Sequence, residues 1–126
     1  MSLRTPLGKV RGLGSAKDGT HHFWVQRLTA IGLIPLTVWF VAALVSLVGA
    51  GHGEVVDWLS QPVPAILMLL LIVSGMYHLK LGLQVVVEDY FHGEGLKLAG
   101  QIAITLGCSV VGFASVFAVL KISLGS

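Results

Sequence analysis

The chain has 126 residues, of which 55% are hydrophobic and 11% charged, and its mean hydropathy is +0.87. Soluble domains carry roughly 25% charged residues, so this composition excludes an ordinary water-facing fold and identifies a membrane protein. The formal net charge of +2 comes from the N-terminal stretch, which anionic headgroups would attract; it is no argument for nucleic acid.

In chain order, the basic start "MSLRTPLGKVRGLGSAKDG" precedes three apolar stretches at about residues 28–50, 63–87 and 98–120. Each is near the ~20 residues that a ~30 Å hydrocarbon core requires. The expected fold is an all-α membrane protein: one membrane-anchor domain over residues 1–126, with a basic tail over 1–27 and three antiparallel transmembrane helices. The first run is longer than the 7–15-residue core of a signal peptide, so an intact tail is expected. Arg4, Lys9, Arg11, Lys17 and Arg27 precede or open the first span, whereas the following loop "GAGHGEVVDWLSQPVP" contains no Lys or Arg. By the positive-inside rule the N-terminus is cytoplasmic, the loop "EDYFHGEGLK" returns to the cytoplasm, and the C-terminus is periplasmic.

Within the first span, Thr20 is a candidate helix cap, Phe23 and Trp24 suit the interface belt, and Pro35 predicts a bend. The glycine-rich segment 49–53 ends that helix. Trp58 predicts a short amphipathic piece at the outer surface, and Pro62 and Pro64 suit the first turn of the second span. In the third span Cys108 and Gly112 have the four-residue spacing that allows close helix approach. Cys108 is the only cysteine, so it has no internal disulfide partner and is read as a small packing residue.

The polar residues inside the second span carry the chemistry. His78 lies near its centre, where an imidazole is costly without a partner. At about 100° per residue its face includes Ser74, Gly75, Gly82 and Val85, and about three turns on, Asp89. Small residues on both sides of a histidine leave a hollow that suits a haem edge with Nε2 on the iron; equally, the histidine could be hydrogen-bonded to a neighbouring helix, with the glycines serving only close packing. Lys80 points about 200° away from His78 and has no assigned role. At the cytoplasmic end, Tyr90 offers a phenol beside the carboxylates of Glu88 and Asp89, with Arg27 at the same membrane level. Each alone suits a belt or headgroup residue; together they resemble a site for a lipid-soluble carbonyl compound, with Tyr90 bonding a quinone oxygen and the acids delivering protons.

The pattern H-x3-G-x6-DY at His78, Gly82, Asp89 and Tyr90, with H-x5-R-x-TAI at His21, Arg27 and Thr29 to Ile31, resembles the smaller hydrophobic membrane anchor subunit of succinate dehydrogenase (respiratory complex II), in its alphaproteobacterial form. The likeness covers nearly the whole chain. It implies a bacterial inner-membrane subunit that pairs with a second anchor subunit and holds a b-type haem with it, His78 being the matching iron ligand. It further implies attachment of an iron–sulfur subunit and a flavoprotein subunit, which carry the iron–sulfur clusters and FAD that pass electrons from succinate to ubiquinone. On this likeness Tyr90 matches the ubiquinone-binding tyrosine, Asp89 a nearby acid tied to proton delivery, and Arg27 an arginine near the haem propionates and quinone pocket. A small proton-coupled transporter and a purely structural membrane scaffold are the competing readings. The first would need an acid deep within a span, whereas Glu88 and Asp89 are at an edge.

Overall fold

Apolar residues run around the whole circumference of the long segments, so neither a water-facing stripe nor a single core-facing stripe can be drawn on them. The computed structural model describes residues 16–125. It consists of α1 (Ala16–Ser46), α2 (His52–Ser60), α3 (Pro62–Tyr90) and α4 (Glu94–Ser123), with no strand among the described residues. Three of the four are long and apolar enough to cross a membrane: α1 from Thr20, α3 and α4. Arg4, Lys9 and Arg11 of the basic tail lie outside the described residues.

Local chemistry accounts for most of the helix ends. Helix α1 runs uninterrupted past Pro35 and stops in the turn at Gly49, whose φ of 85° is the left-handed region that a glycine enters without a Cβ clash. Thr20, expected as a cap, instead lies inside α1, which begins four residues earlier at Ala16. The amphipathic piece expected around Trp58 is α2. Gln61 closes both of its neighbours: its N–H donates to Trp58 O at 3.2 Å, and its carbonyl accepts from Ala65 N–H at 3.1 Å. Pro62 then occupies the first position of α3, where its missing N–H costs no helical bond. Gly93, at φ 94°, turns the chain from α3 into α4.

Helix α3 is the centre of the fold. Both α1 and α4 pack along it, and among the described residues no Cα of α1 comes within 8 Å of a Cα of α4. Thr29 meets His78 and Leu33 approaches Gly75, so residue numbers on α1 rise as those on α3 fall: the pair is antiparallel. The pairs Gly100 with Val87 and Gly112 with Met76 show the same for α3 and α4. At the α2 end, a small core joins Leu59, Ala65 and Val119, flanked by Trp58, Leu69 and Ile122. Trp58 also stacks on Trp39 of α1, with ring centroids 5.8 Å apart and planes 20° apart, and Ser60 Oγ donates to Val56 O at 2.7 Å while lying 3.2 Å from Ile122 O of α4. Helix α2 is thus a strut across one end of the three spans.

Among the described hydrophobic residues only Ala43, Leu59, Ala65, Leu81, Val87 and Val119 are buried, while Leu28, Ile34, Val38, Val110, Phe113 and Phe117 are each more than 60% exposed. In water such a surface would aggregate; against lipid it is the ordinary exterior of a spanning bundle. The tightest approach is at Gly100, where a Cβ would lie 3.1 Å from Val87 Cγ1 and 3.1 Å from Phe91 Cε2. Gly100→Leu is therefore expected to push α4 off the tail-side end of α3 and destabilise the chain by about 1–3 kcal/mol. A thermal unfolding scan of the full chain in detergent checks this; an unchanged midpoint would contradict the packing.

Candidate functional site

The site is built on the face that α3 turns toward α1. His78 is half-buried there, and its Nδ1 lies 3.1 Å from Thr29 Oγ1. Thr29 also contacts its own helix, with Oγ1 2.8 Å from Val25 O and 3.0 Å from Gln26 O. This back-bonding to the preceding turn is how a threonine hydroxyl is accommodated in a helix interior. The other ring nitrogen of His78, Nε2, has no hydrogen-bond partner among the described residues.

Glycines flank the imidazole by one turn on each side, and the two differ. A Cβ on Gly75 would meet Leu33 Cδ2 at 3.9 Å, an ordinary contact, so Gly75 is covered by α1. A Cβ on Gly82 would meet nothing within 4 Å. The hollow beside His78 is therefore open toward the tail-side end of α3. The pairs 29 with 78 and 33 with 75 set an antiparallel register that puts Gln26 level with Leu81 and Gly82. Gln26 Oε1 is buried there without a hydrogen-bond partner among the described residues.

The other sequence-predicted residues are spread along the same end. Asp89 is 11 residues beyond His78, which places it about 16 Å along α3 and about 20° from the His78 direction. Tyr90 is about 120° from that direction and 74% exposed. Glu88, Asp89 and Tyr90 have no side-chain hydrogen bond or ion pair among the described residues. Arg27 is exposed, with its guanidinium carbon 4.9 Å from the centroid of the Phe23 ring, a cation–π contact. In the register above it is level with Leu81, about one turn from His78 and about 14 Å short of Tyr90 along α3, so the expectation that Arg27 and Tyr90 share one membrane level fails: the antiparallel register set by Thr29 and His78 carries Arg27 deeper than the end of α3. Arg27 points about 200° away from Thr29 around α1, so the chain does not bring it onto Asp89 or Tyr90. No group of three or more His, Cys, Asp or Glu assembles among the described residues; what they offer a metal is single imidazoles.

Lys80, as the helical arithmetic predicts, is on another side of α3. It lines an open groove of about 290 Å³ between α3 and α4, with Met76, Tyr77, Cys108, Gly112 and Phe113. Thr29 is the site residue that reading the sequence by function missed. Its hydroxyl within a span was the available signal, but nothing in one helix reports which residue of another it will meet.

Three long apolar helices and a short end strut, carrying one imidazole inward and a tyrosine–acid pair at one end, define a small multi-pass membrane protein. Residues 1–119 match the family described as succinate dehydrogenase/fumarate reductase transmembrane subunit. A succinate dehydrogenase hydrophobic membrane anchor subunit from Paracoccus denitrificans is 31% identical over 126 residues, covering 100% of this chain and 97% of that one. The subunit of the same description from Rickettsia bellii is 33% identical over 104 residues, 82% of this chain and 83% of its own length. A succinate dehydrogenase membrane anchor subunit from Reclinomonas americana is 27% identical over 85 residues, 65% of this chain and 71% of its own. No solved structure matches. The chain belongs to the succinate dehydrogenase/fumarate reductase transmembrane subunit family, and the alphaproteobacterial sources of the first two relatives agree with the likeness drawn from its motifs.

The orphaned oxygen of Gln26 generates a test of the site's packing. A buried acceptor without a donor costs about 1–3 kcal/mol, so Gln26→Leu, similar in volume, is expected to raise the thermal midpoint of the full chain in detergent when no partner subunit is present. A lowered midpoint would mean that the oxygen has a donor after all.

Proposed function

We propose that the chain is the hydrophobic anchor of a bacterial succinate:ubiquinone oxidoreductase, catalytic only in company. In this reading it pairs with a second anchor subunit, and the pair holds an iron–sulfur subunit and a flavoprotein subunit at the cytoplasmic face of the inner membrane. The absence of Lys and Arg from the loop after α1, against the basic residues before it, supports a cytoplasmic N-terminus and a periplasmic C-terminus. Family membership gives the transporter and scaffold readings no comparable support.

The observation that carries the reading is His78: an imidazole within a span, anchored at Nδ1 and open at Nε2, beside a glycine that no side chain covers. That combination fits a b-type haem: His78 would hold its iron through Nε2, a residue of the partner anchor would supply the other ligand, and the uncovered Gly82 would leave room beside the imidazole. Bound there, haem supplies one-electron redox chemistry whose potential the ligands and burial set. Arg27 lies about one turn from His78 toward the tail-side end but about 200° around α1 from Thr29, so its guanidinium would bond a propionate or a quinone-pocket group only on the side of α1 turned away from His78, where a partner subunit would have to bring that group. Tyr90 presents an exposed phenol that donates a hydrogen bond to a ubiquinone carbonyl, while the carboxylate of Asp89, its neighbour in sequence, passes protons toward the reduced oxygen. Both residues have their polar atoms unengaged among the described residues, as groups awaiting a ligand and a partner surface would.

Two measurements test this in the assembled complex. His78→Ala is expected to abolish the b-type haem signal in a reduced-minus-oxidised spectrum while the chain remains inserted; an unchanged spectrum removes His78 from the ligand role. Tyr90→Phe is expected to slow succinate–ubiquinone turnover about tenfold, the ~1.4 kcal/mol of one hydrogen bond, and to leave succinate oxidation by a soluble artificial acceptor unaffected. Equal losses in both assays would argue against contact with quinone.

A further inference from the structure

We propose that Thr29 is a positioning residue that holds the His78 imidazole in its Nδ1–H tautomer and so turns the lone pair of Nε2 outward, the form a metal ligand requires. This rests on the reading of His78 as the haem ligand, and it deepens that site by assigning the residue that prepares it.

Proton counting around one oxygen carries the inference. Three groups surround Thr29 Oγ1: Val25 O at 2.8 Å, Gln26 O at 3.0 Å and His78 Nδ1 at 3.1 Å. A hydroxyl has one proton to give and two lone pairs to receive. The two carbonyls can only accept. If the proton pointed at Nδ1, both carbonyl oxygens would face Oγ1 lone pair to lone pair at hydrogen-bond distance, leaving one bond made and two contacts repulsive. If it points between the two carbonyls, shared by Val25 O and Gln26 O, neither contact is repulsive and a lone pair of Oγ1 turns toward α3, free to accept. The second arrangement requires Nδ1 to be the donor. A neutral imidazole carries one N–H, so Nε2 is then the bare nitrogen, and it is the nitrogen with no partner among the described residues. The bond from Nδ1–H also fixes the ring's rotation about its attachment, and a ligating histidine generally donates its second nitrogen to such an acceptor, which raises its basicity. Thr29 is suited to this because its bonds back to the preceding turn hold the hydroxyl in place.

The test compares Thr29→Val, which keeps the shape and removes the acceptor, with Thr29→Ser, which keeps the hydroxyl. In the full chain in detergent without haem, ring ¹⁵N shifts of His78 are expected to report the Nδ1–H tautomer in wild type and in Thr29→Ser, and a mixture in Thr29→Val. In the assembled complex, Thr29→Val is expected to lower haem affinity about 10- to 100-fold and to raise the haem midpoint potential, because a less basic imidazole favours the ferric state less; Thr29→Ser restores both. A wild-type His78 in the Nε2–H form would overturn the proposal, as would a Thr29→Val complex with unchanged tautomer, haem content and potential. Failure of the underlying reading looks different: haem would persist in His78→Ala, whatever the ring tautomer.

Discussion

No water reaches the middle of a bilayer to satisfy an imidazole, so a histidine there must find its partners in protein or in something the protein binds. His78 finds one partner in Thr29, at 3.1 Å, and none among the described residues for its other nitrogen. That contact accompanies a rotation of α1 about α3 that brings one face of each helix together, with Leu33 over Gly75 and Gln26 level with Gly82. The open nitrogen and the open glycine are then on the same exposed edge. The interaction that relieves one polar atom thereby displays the other.

The central position of α3 gives this arrangement its firmness. Gly100 and Gly112 let α4 lie against α3 closely, Val87 is buried between them, and α2 ties all three spans together at the far end through Trp58, Ser60 and Leu59. The bracing is concentrated at the α2 end and on the α4 side. The site lies on the other side and toward the other end, where packing is sparser and polar groups lack partners. If, as proposed, the chain shares a cofactor with another subunit, such an edge is what it would need, since a fully packed helix pair would leave no room for a shared group.

Much of this was legible in the sequence, and the reasons differ by feature. The three spans follow from composition, because lipid imposes a length of apolar residues that water-soluble folds do not need. Pro62 and Trp58 marked the strut and the start of α3 through backbone chemistry local to them. The divergence of His78 and Lys80 followed from the helical repeat alone. Thr29 did not, since its partner is 49 positions away and depends on the rotation of two helices whose apolar surfaces look alike from every direction. Nor did the early start of α1: Thr20 is a good cap only if nothing upstream continues the helix, and Ala16 to Gly19 do continue it. Gln26 gave no signal, because an amide becomes conspicuous only when it is known to be buried.

With no Cα of α1 within 8 Å of one of α4 among the described residues, the chain is two helical hairpins sharing α3, and the proposed site falls on one of them. Arg27, Thr29, His78, Asp89 and Tyr90 all belong to α1 and α3, while α4 contributes none of them. On the proposed function, a substitution on the lipid-facing side of α4 leaves every proposed site residue where it is, whereas one on the facing sides of α1 and α3 acts on them directly.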